Sequence, residues 1–540
     1  MKKVIYVLFI VFTFTSCDVL DLKPLDKVSD ADVWEDSALI ELYVNASYNY
    51  IKHEFGQDMI CAASDEVYCI HNWSNQWIIQ KGELTSDNVV NLSSKMNFWG
   101  TAYSSIRSIN IFFDRIEKAP VEAAMRKRMI GEMKFIRSFV YANLIWRYGG
   151  VPIITGVFDL NQDYTVSRDS YENCVDFIIK ELDEAIALLP GKMDGDNKGR
   201  ASGNACKALK ARILLYAASE QNNPEHNRGK WEKAKEATES VLNMDYSLHA
   251  DYQSIFLQDN SEIIFARYFT QANSTSFMVW NGRNGSNGNT GENPTQNLVN
   301  AYEMKNGELP YLNEELPLKV NPASGYDERN PYVNRDPRFE ASILHDGSMW
   351  AGRETEIWHG GLDSPESSIG SWNASRSGYA FKKFMVESIP PTGSSIKPEN
   401  PWIYFRLSEF YLNYAEIMYE LGDEETARKY INKIRNRQSV QMPSVVASGV
   451  ELRDKIRNER RIELAFEGHR FFDVRRWKIA DQTENRDLLA IDIQKLEDGS
   501  KSYETILLLK RIFLEQHYLL PIPRAEVDKS NGCLSQNLGY

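Results

Sequence analysis

The sequence lacks the short motifs that mark several large classes of enzyme. Its 540 residues contain no G-x-S-x-G, no H-E-x-x-H and no G-x-x-x-x-G-K-[ST]. The first two patterns carry the nucleophile of many hydrolases and the zinc ligands of metalloproteases, and the third binds phosphate groups. The sequence therefore gives no motif for serine hydrolase, zinc protease or phosphate-loop chemistry.

Cysteine is scarce, with six residues and no C-x-x-C pair. That spacing disfavours metal-binding and redox chemistry, so no metal ion and no other cofactor is expected. Five cysteines lie beyond residue 17, so they cannot all pair, and the default prediction is buried thiols. Cys61 and Cys69 are the one pair that an oxidising compartment could close.

An excess of basic residues is also absent. Lys and Arg number 62 against 75 Asp and Glu, which gives a formal net charge of −13. Nucleic acid demands a basic surface, so no nucleic-acid partner is expected. A neutral ligand such as a glycan meets no such electrostatic penalty.

Only the N-terminus carries a long apolar run. Two lysines precede the apolar segment 4–14, and Cys17 follows it, as in a lipoprotein signal peptide that is cleaved before a lipid-modified cysteine. We predict a signal peptide over residues 1–16, lipidation of Cys17 with acyl chains such as palmitate, and a stalk over 17–36. No later run reaches the roughly 18 apolar residues that a membrane helix needs, so the predicted attachment to the membrane is this lipid alone.

Helical periodicity dominates two parts of the chain. Apolar residues recur at helical spacing in 37–53 and in five later segments. The later segments are 95–118, 121–148, 169–189, 202–220 and 230–243. Residues 404–437 place small residues around a Gly422-Asp423 turn, as in a tetratricopeptide unit. We predict a mainly α fold with about four irregular helix pairs of this kind, which form a scaffold because each pair buries its neighbour's face.

The composition changes at about residue 273. From there to residue 400 the chain is rich in Gly, Asn, Ser and Pro and poor in helical pattern. Four residues of this segment are tryptophan: Trp280, Trp350, Trp358 and Trp372. So many large apolar rings argue against a flexible linker. We predict a loop-dominated insertion that carries function, as long ordered loops in compact proteins tend to do.

Residues 451–477 hold the densest alternation of charges and aromatic rings. In a helix, Glu459, Glu463 and Glu467 lie on one face at i, i+4 spacing, where like charges repel. A glycosidase-like carboxylate pair is one chemical interpretation. A carboxylate-bridged metal site is another, although the nearest histidine is one residue short of the Glu-x-x-His spacing. An arginine beside nearly every glutamate favours a structural role, because it keeps the acids ionised.

We therefore predict a structural ion-pair network, in which flanking arginines pair with the glutamates and fix the last helix to the Phe471-Phe472 turn. Its predicted members are Glu459, Arg461, Glu463, Glu467, Arg470, Asp473 and Arg475. No catalytic residue is predicted.

The run ERRIELAFEGHRFFDVRRW, from Glu459 to Trp477, resembles the signature of the SusD/RagB family of surface lipoproteins. Other segments resemble landmarks of that family in the same order. They are NRDPRF at 334–339, SGY at 377–379, KKF at 382–384, the stretch 402–415 with RLSE, LPIP at 520–523 and the terminal QNLGY. With the predicted lipid-attachment site, the resemblance covers essentially the whole chain, and Leu538 stands where the family usually has proline.

The resemblance implies a fold and a role. Members of the family fold as four tetratricopeptide-like pairs packed against a loop-rich, partly β C-terminal region, and in Bacteroidetes they pair with a TonB-dependent, SusC-like transporter. The chain is thus expected to be a non-catalytic, glycan-binding lipoprotein, exposed on the outer membrane, that delivers oligosaccharide to the transporter as a lid. A glycoside hydrolase or lyase of the same uptake system, and a peptide-binding receptor, stay open as alternatives.

The expected division of the mature chain follows from these patterns. A helical N-terminal region spans 37–260 and a C-terminal region spans 261–540. The latter contains the insertion 273–400 and the last helix pairs, 402–477.

Sugars present flat apolar C–H faces and edge hydroxyls, so a receptor needs exposed aromatic rings beside polar donors and acceptors. Two stretches offer both. HNWSNQW at 71–77 sets two tryptophans among amides, and WNGRN at 280–284 sets one beside a guanidinium. The residues predicted to bind ligand are Trp73, Trp77, Trp280, Arg283, Asp65 and Trp358.

Overall fold

The computed structural model describes residues 30–71, 74–158, 166–369 and 371–540, so the predicted signal peptide, Cys17 and Trp73 lie outside it. The helices in this part of the chain are α1 (Asp30–Val33), α2 (Ser37–Ser47), α3 (Trp77–Gln80), α4 (Trp99–Arg115), α5 (Ala123–Tyr148), α6 (Tyr171–Leu188), α7 (Gly203–Ala218), α8 (Arg228–Leu242), α9 (Phe277–Asn281), α10 (Gln296–Ala301), α11 (Pro337–Ser342), α12 (Leu407–Glu420), α13 (Glu424–Arg435), α14 (Gly449–Glu463), α15 (Arg470–Arg476), α16 (Ala480–Thr483) and α17 (Arg524–Lys529). The strands are β1 (Val67–Cys69), β2 (Ile263–Arg267), β3 (Glu292–Pro294), β4 (Ile343–Leu344), β5 (Met349–Trp350), β6 (Arg353–Glu354), β7 (Ala380–Phe381), β8 (Trp402–Arg406), β9 (Leu488–Lys495) and β10 (Lys501–Leu509).

The long N-terminal helices lie where apolar periodicity predicts them. α4 to α8 each begin and end within about four residues of the predicted bounds. Side-chain caps explain some of the starts, since the hydroxyl of Ser170 accepts the Asn173 N–H at α6 and that of Ser202 accepts the Ala205 N–H at α7. None of the described helices combines the length and apolarity that crossing a bilayer requires.

The helices pack as a succession of neighbours. α5 contacts α4 and α6, α7 contacts α6 and α8, and α12 contacts α8 and α13, so the two helical parts of the chain join through α8 and α12. The small residues at the helix crossings, Ala208, Ala211 and Ala234, are completely buried. Their size lets the backbones approach closely. The predicted mainly α fold of tetratricopeptide-like pairs is confirmed.

The loop-dominated insertion begins and ends at paired strands. β2 pairs antiparallel with β8, with Ile263 opposite Arg406 and Arg267 opposite Trp402. Between them the described chain forms only short helices and the short strands β3 to β7. β4 pairs with β7 and β5 with β6, whereas β3 pairs with β1 from the N-terminal part of the chain. The hairpin β9–β10 follows later in the sequence. In the described residues every sheet has two strands, so loops rather than a sheet shape the C-terminal region.

Five cysteines lie within the described residues, and all five are free thiols. Cys61, Cys174 and Cys206 are buried, as predicted, whereas Cys69 and Cys533 are half-buried. Cys61 and Cys69 form no disulfide.

Charged side chains occupy the interior around α14. Glu463 is completely buried and accepts hydrogen bonds from Arg406 and Arg437, both at 2.8 Å, and from Arg338 at 3.0 Å. Glu459 accepts from Arg435 at 2.8 Å and also from Arg338. The prediction of a structural ion-pair network here agrees with these contacts, but its cations come from distant segments. The expectation that flanking arginines supply them is wrong for this pair of glutamates.

Glu467 differs from the other two glutamates, because α14 ends at Glu463 and the left-handed backbone of Phe466 (φ 66°) turns the chain away. Its carboxylate pairs with Arg406 of β8 at 2.7 Å and with Lys383 of the insertion at 2.9 Å. The three acids therefore do not share one helix face, but each is neutralised by cations.

Helix α15 has its own ion pairs. Asp473 receives Arg460 at 2.7 Å and Arg476 at 2.8 Å, which ties α15 to α14. Arg475 was expected in the network, but among the described contacts it donates to the carbonyls of Phe471 (2.9 Å) and His517 (3.2 Å). Its guanidinium lies 3.6 Å from the Phe471 ring centroid. Cation–π contact and backbone hydrogen bonds, not a carboxylate, therefore hold Arg475.

Candidate ligand-binding surface

Two loops meet at the ladder between β1 and β3. Tyr68 lies opposite Asn293, and the Ile70 N–H donates to the Gly291 carbonyl at 2.8 Å just beyond the ladder. The loop that begins at His71 and the loop that ends at Gly291 therefore lie side by side.

Gly291 allows these loops to approach closely. A Cβ at this position would lie 3.0 Å from Cδ2 of His71 and 3.0 Å from the backbone oxygen of Trp280. The Gly291 N–H donates to that same oxygen at 2.8 Å. A larger residue would therefore push His71 and Trp280 apart.

A third segment brings an exposed tryptophan to the same place. Trp372 is 60% exposed and its ring centroid is 5.6 Å from that of His71, at an interplanar angle of 46°. The amide of Asn373 donates to the Gly288 carbonyl at 3.3 Å, which fixes this segment against the loop before Gly291. Among the described tryptophans, Trp372 is the only one classed as exposed.

An arginine completes the surface. Arg376 is exposed, and its backbone N–H donates to the side-chain oxygen of Asn293 at 2.8 Å. Asn293 is completely buried and donates in turn to the Thr290 carbonyl at 2.6 Å. We call the five residues His71, Trp280, Trp372, Asn373 and Arg376 the ligand platform.

The ligand platform combines one open aromatic face with donors and acceptors at its edge. Such a set suits a ligand that has a flat apolar face and peripheral hydroxyl groups. Burial lowers the pKa of His71, so the ring is neutral at neutral pH and adds no charge to the surface.

The structure brings some of the predicted ligand residues to this surface. Trp280 is half-buried and belongs to the ligand platform through its contacts with Gly291. Trp73 lies outside the described residues, two positions after His71. Trp77 is the first residue of α3 and is half-buried against the hydrophobic core, with the Lys81 ammonium 4.9 Å from its ring centroid.

Two predicted ligand residues have structural roles instead, and both expectations need correction. Arg283 is 2% exposed, and its guanidinium donates to the Thr355 hydroxyl at 2.9 Å and the Trp350 carbonyl at 2.5 Å. Asp65 is also buried and pairs with Arg461 at 2.7 Å and Arg470 at 2.8 Å. The polar groups of both residues are already engaged by protein, so neither is available to a ligand.

Trp358 lies elsewhere in the C-terminal region. It is half-buried beside β9, where the Lys495 ammonium is 4.6 Å from its ring centroid. The next residue, His359, donates its backbone N–H to the Ile493 carbonyl at 2.9 Å and pairs through its ring with Asp492. The ring of this tryptophan packs against the hydrophobic core and the hairpin.

Sequence reasoning did not select Trp372, His71 or Arg376 as ligand residues. The available signal was a tryptophan in a segment rich in Gly and Ser, SSIGSWNASRSG, where no apolar periodicity would bury it. Its proximity to His71 depends on pairing between segments about 300 residues apart, which no local pattern encodes.

The chain matches known proteins along its length. A family model described as "SusD family" matches residues 252–540, and one described as "Starch-binding associating with outer membrane" matches residues 18–215. SusD-like protein P25 of Formosa agariphila is 23% identical over 524 residues, which cover 89% of this chain and 90% of that protein.

Solved structures share the fold. A SusD-like protein from Bacteroides fragilis has a TM-score of 0.82 and 30% identity, with 96% of this chain and 100% of that one covered. A second structure from the same species, described as a SusD-like carbohydrate binding protein, has a TM-score of 0.77 and 24% identity over 92% of this chain and 98% of that one. A family model that covers more than half of the chain, together with this likeness of the whole fold, shows that the chain belongs to the SusD family.

Proposed function

We propose that this protein is a non-catalytic receptor that captures oligosaccharide at the cell surface and delivers it to a TonB-dependent, SusC-like transporter in the outer membrane. The observation that carries the proposal is the exposed ring of Trp372 beside His71, with the polar residues Asn373 and Arg376 in the same loop. Large exposed apolar rings cost free energy in water and are common at binding surfaces. A sugar ring offers the complementary apolar face and hydroxyl groups.

Support also comes from the chain's relatives. One matching family model is described as starch-binding and associated with the outer membrane, and one solved structure of this fold is described as carbohydrate binding. The proposed lipid at Cys17 would hold the protein at that membrane. The predicted stalk ends before residue 36, because α1 begins at Asp30 and Trp34 is buried in the core, and the segment from Cys17 to α1 would let the protein move as a lid above the transporter. Trp73, two residues after His71, is proposed as a further aromatic contact of the same surface, and the half-buried Trp77 and Trp358 as candidates of second rank.

The carboxyl groups of the interior do not support a hydrolase. Glycoside hydrolysis needs a general acid that touches the leaving oxygen and a second carboxylate across the bond. Glu463 is ionised among three arginines, and burial raises the pKa of Glu292 and Glu66 to about 8. All three are at most 1% exposed, so none reaches a bound sugar.

A glycan panel tests the proposal. The purified protein is run in native gels that contain starch, laminarin, xylan, mannan, pectin or alginate, and the retardation is compared between wild type and Trp372→Ala. Leu42→Ala is the matched control, since Leu42 is 61% exposed on α2. We expect at least one polysaccharide to retard the wild type and the control, and Trp372→Ala to reduce that retardation about tenfold or more.

Each alternative has its own outcome. Release of reducing ends from the polysaccharide that retards the protein would show a hydrolase. Unsaturated products that absorb in the ultraviolet would show a lyase. Binding of a peptide library with no retardation by any glycan would show a peptide receptor. If Trp372→Ala and Trp73→Ala both keep wild-type glycan affinity, the assignment of the surface is wrong.

A further inference from the structure

A second cleft lies in the helical region, on segments other than those of the ligand platform. The loop 192–200, the turn 245–247 and the segment 259–268 enclose a volume of about 470 Å³. An adjoining cleft of about 410 Å³ shares a wall with it, formed by Lys198, Gly199 and Arg200. Both volumes fall within the range typical of small-ligand sites.

One wall of the cleft is an aromatic ring held in a fixed position. The Tyr268 hydroxyl donates to Asp259 at 2.7 Å, and the Lys198 ammonium lies 2.6 Å from the other oxygen of that carboxylate. Lys198 also lies 4.7 Å from the Tyr268 ring centroid. The ring, the acid and the ammonium therefore form one braced unit, and bracing lowers the entropy lost when a ligand binds.

Glycine permits this arrangement. Gly199 has a left-handed backbone (φ 86°), and a Cβ there would lie 3.2 Å from Cδ2 of Tyr268. The chain can thus lie directly against the ring only because residue 199 has no side chain.

The remaining lining is polar and balanced in charge. Its cations are Lys192, Lys198 and Arg200, and its anions are Asp194, Asp245 and Asp259. A second tyrosine, Tyr246, accepts a hydrogen bond from the Asn204 amide at 3.3 Å. Equal numbers of cations and anions create little net field, so the cleft favours a neutral ligand with many hydroxyl groups over a charged one.

An extended peptide fits less well. β2 presents consecutive residues to the cleft, from Ile263 to Ala266, and a free strand edge ordinarily invites an added strand. However, a Cβ at Gly199 would lie 3.6 Å from the Ala266 carbonyl oxygen, so the loop already lies across that edge. This loop therefore occupies the edge to which a peptide strand would pair, whereas a sugar ring needs no such edge.

We infer that this cleft is a second saccharide-binding site, which takes neutral glycans of the same class as the ligand platform. The inference rests on the proposed function. Two sites on one chain raise retention of a long polysaccharide through effective concentration, without raising affinity for a short oligosaccharide that reaches only one of them.

The test separates the two sites. Tyr268→Ala, Asp245→Ala and Trp372→Ala are run in native gels containing starch, laminarin or xylan, with Leu42→Ala as control. We expect Tyr268→Ala to reduce retardation about tenfold by loss of the aromatic contact and of the braced acid. Trp372→Ala is expected to leave a residual retardation, which the double variant Trp372→Ala/Tyr268→Ala abolishes. Asp245 lines the cleft, so we expect Asp245→Ala to reduce retardation. Because this carboxylate is exposed, its removal is expected to leave the fold intact.

Hydrogen exchange locates the contact without mutation. With maltohexaose, laminarihexaose or xylohexaose present, amides in 192–200 and 245–247 of the wild type are expected to exchange at least twofold more slowly, alongside those near His71. The second site is overturned if both Tyr268→Ala and Asp245→Ala show wild-type retardation, or if no hexaose protects amides in 192–200. The proposed function still stands in that case if Trp372→Ala loses retardation. Protection of 192–200 by a peptide but by no glycan also overturns it. Absence of retardation by every polysaccharide, in the wild type as well, overturns both proposals.

Discussion

Buried carboxyl groups behave in opposite ways in two regions of this molecule. Around α14, burial acts to raise the pKa of Glu262, but Arg437 and Arg406 outweigh it and lower the pKa to about 2. Beneath the ligand platform, burial raises the pKa of Glu292 to about 8, and Lys95 offsets only part of the shift. The number of cations that touch each acid, and not the depth of burial, decides which form is stable.

The two regions therefore use their acids differently. The ionised glutamates join β2, β8, α11 and the loop after α13 to the end of α14 through multiple charged hydrogen bonds. Glu292 instead serves as a hydrogen-bond bridge, accepting the Met59 N–H at 2.6 Å and the Asn281 amide at 3.3 Å. It holds the end of α9, and with it Trp280, without a net charge. The proposed ligand platform is thus supported by a carboxyl group that is neutral at neutral pH.

The largest expected effect comes from breaking the charged region. In Glu463→Gln, an amide group replaces one of two oxygens that together serve three arginines, and its N–H groups then face a guanidinium. Removing one partner of a buried charge pair costs about 3–5 kcal/mol of unfolding free energy. Urea denaturation at neutral pH measures it.

The control for that variant is Glu425→Gln, an exposed acid on α13 whose replacement should change stability by less than about 0.5 kcal/mol. Glycan affinity of folded Glu463→Gln is expected to match the wild type. A variant with the wild-type melting temperature and lost binding would show that the charged region belongs to the binding site.

The next effect is a change in pH dependence, and Glu292→Gln isolates it. The ordinary pKa of a glutamate is 4.5 and that of folded Glu292 is about 8. Between these values the unfolded chain releases a proton that the folded chain keeps, so stability is fully present below pH 4.5 and falls as the pH rises towards 8. The slope is about 1.4 kcal/mol per pH unit, and Glu292→Gln removes this contribution.

Denaturation at a series of pH values checks this slope, with the exposed Glu497→Gln as control. In the charged region around α14, the pH dependence of stability has the opposite sign. The folded pKa of Glu262 is about 2, so its contribution is complete above 4.5 and is lost as the pH falls from there to about 2. Glu292→Gln should therefore leave the acid limb of the curve unchanged. An unaltered slope between 4.5 and 8 would show that Glu292 is ionised in the folded protein.

A smaller effect is expected for Arg475→Lys. Burial lowers the pKa of Arg475 to about 10, and its contacts are a ring and two carbonyls. Lysine keeps the charge but loses the planar contact with Phe471, at a cost of about 1 kcal/mol in thermal or urea unfolding. A loss as large as that of Glu463→Gln would place Arg475 in the ion-pair network after all.

The smallest expected change in stability is that of Trp372→Ala. Because this ring is mostly exposed, its removal should alter the unfolding free energy by less than about 0.5 kcal/mol while glycan retention falls. Circular dichroism and thermal unfolding, run beside the native gels, separate the two quantities. A loss of several kcal/mol would mean that Trp372 is part of the hydrophobic core.

The helical part of the fold could be predicted from the sequence because its information is local. Apolar spacing and caps such as Ser170 and Ser202 define each helix within one stretch of chain. The ion-pair network was predicted only in part, since the sequence shows that Glu463 needs cations but not that Arg338, Arg406 and Arg437 provide them. Those pairings depend on the tertiary fold.

The candidate surface was the hardest part to predict. Amides beside Trp280 marked a loop that belongs to the proposed ligand platform, but the same pattern selected Arg283, whose guanidinium donates to Thr355 and Trp350. A guanidinium in a glycine-rich loop has the same sequence pattern whether it faces solvent or braces a turn. Trp372 was not selected because its partner, His71, is distant in sequence.

The pairing of β2 with β8 has a consequence for how such a chain can change over time. The chain leaves the helical scaffold at Arg267 and returns at Trp402. These two residues are partners in the ladder, so the ends of the segment between them lie side by side. Insertions and deletions in the exposed loops of that segment leave this ladder in place, but Arg338 and Lys383 within it pair with Glu463 and Glu467 and constrain its replacement. Exchange of residues 268–401 between homologues, with Arg338 and Lys383 retained, would therefore test whether this segment sets the specificity of the proposed ligand platform.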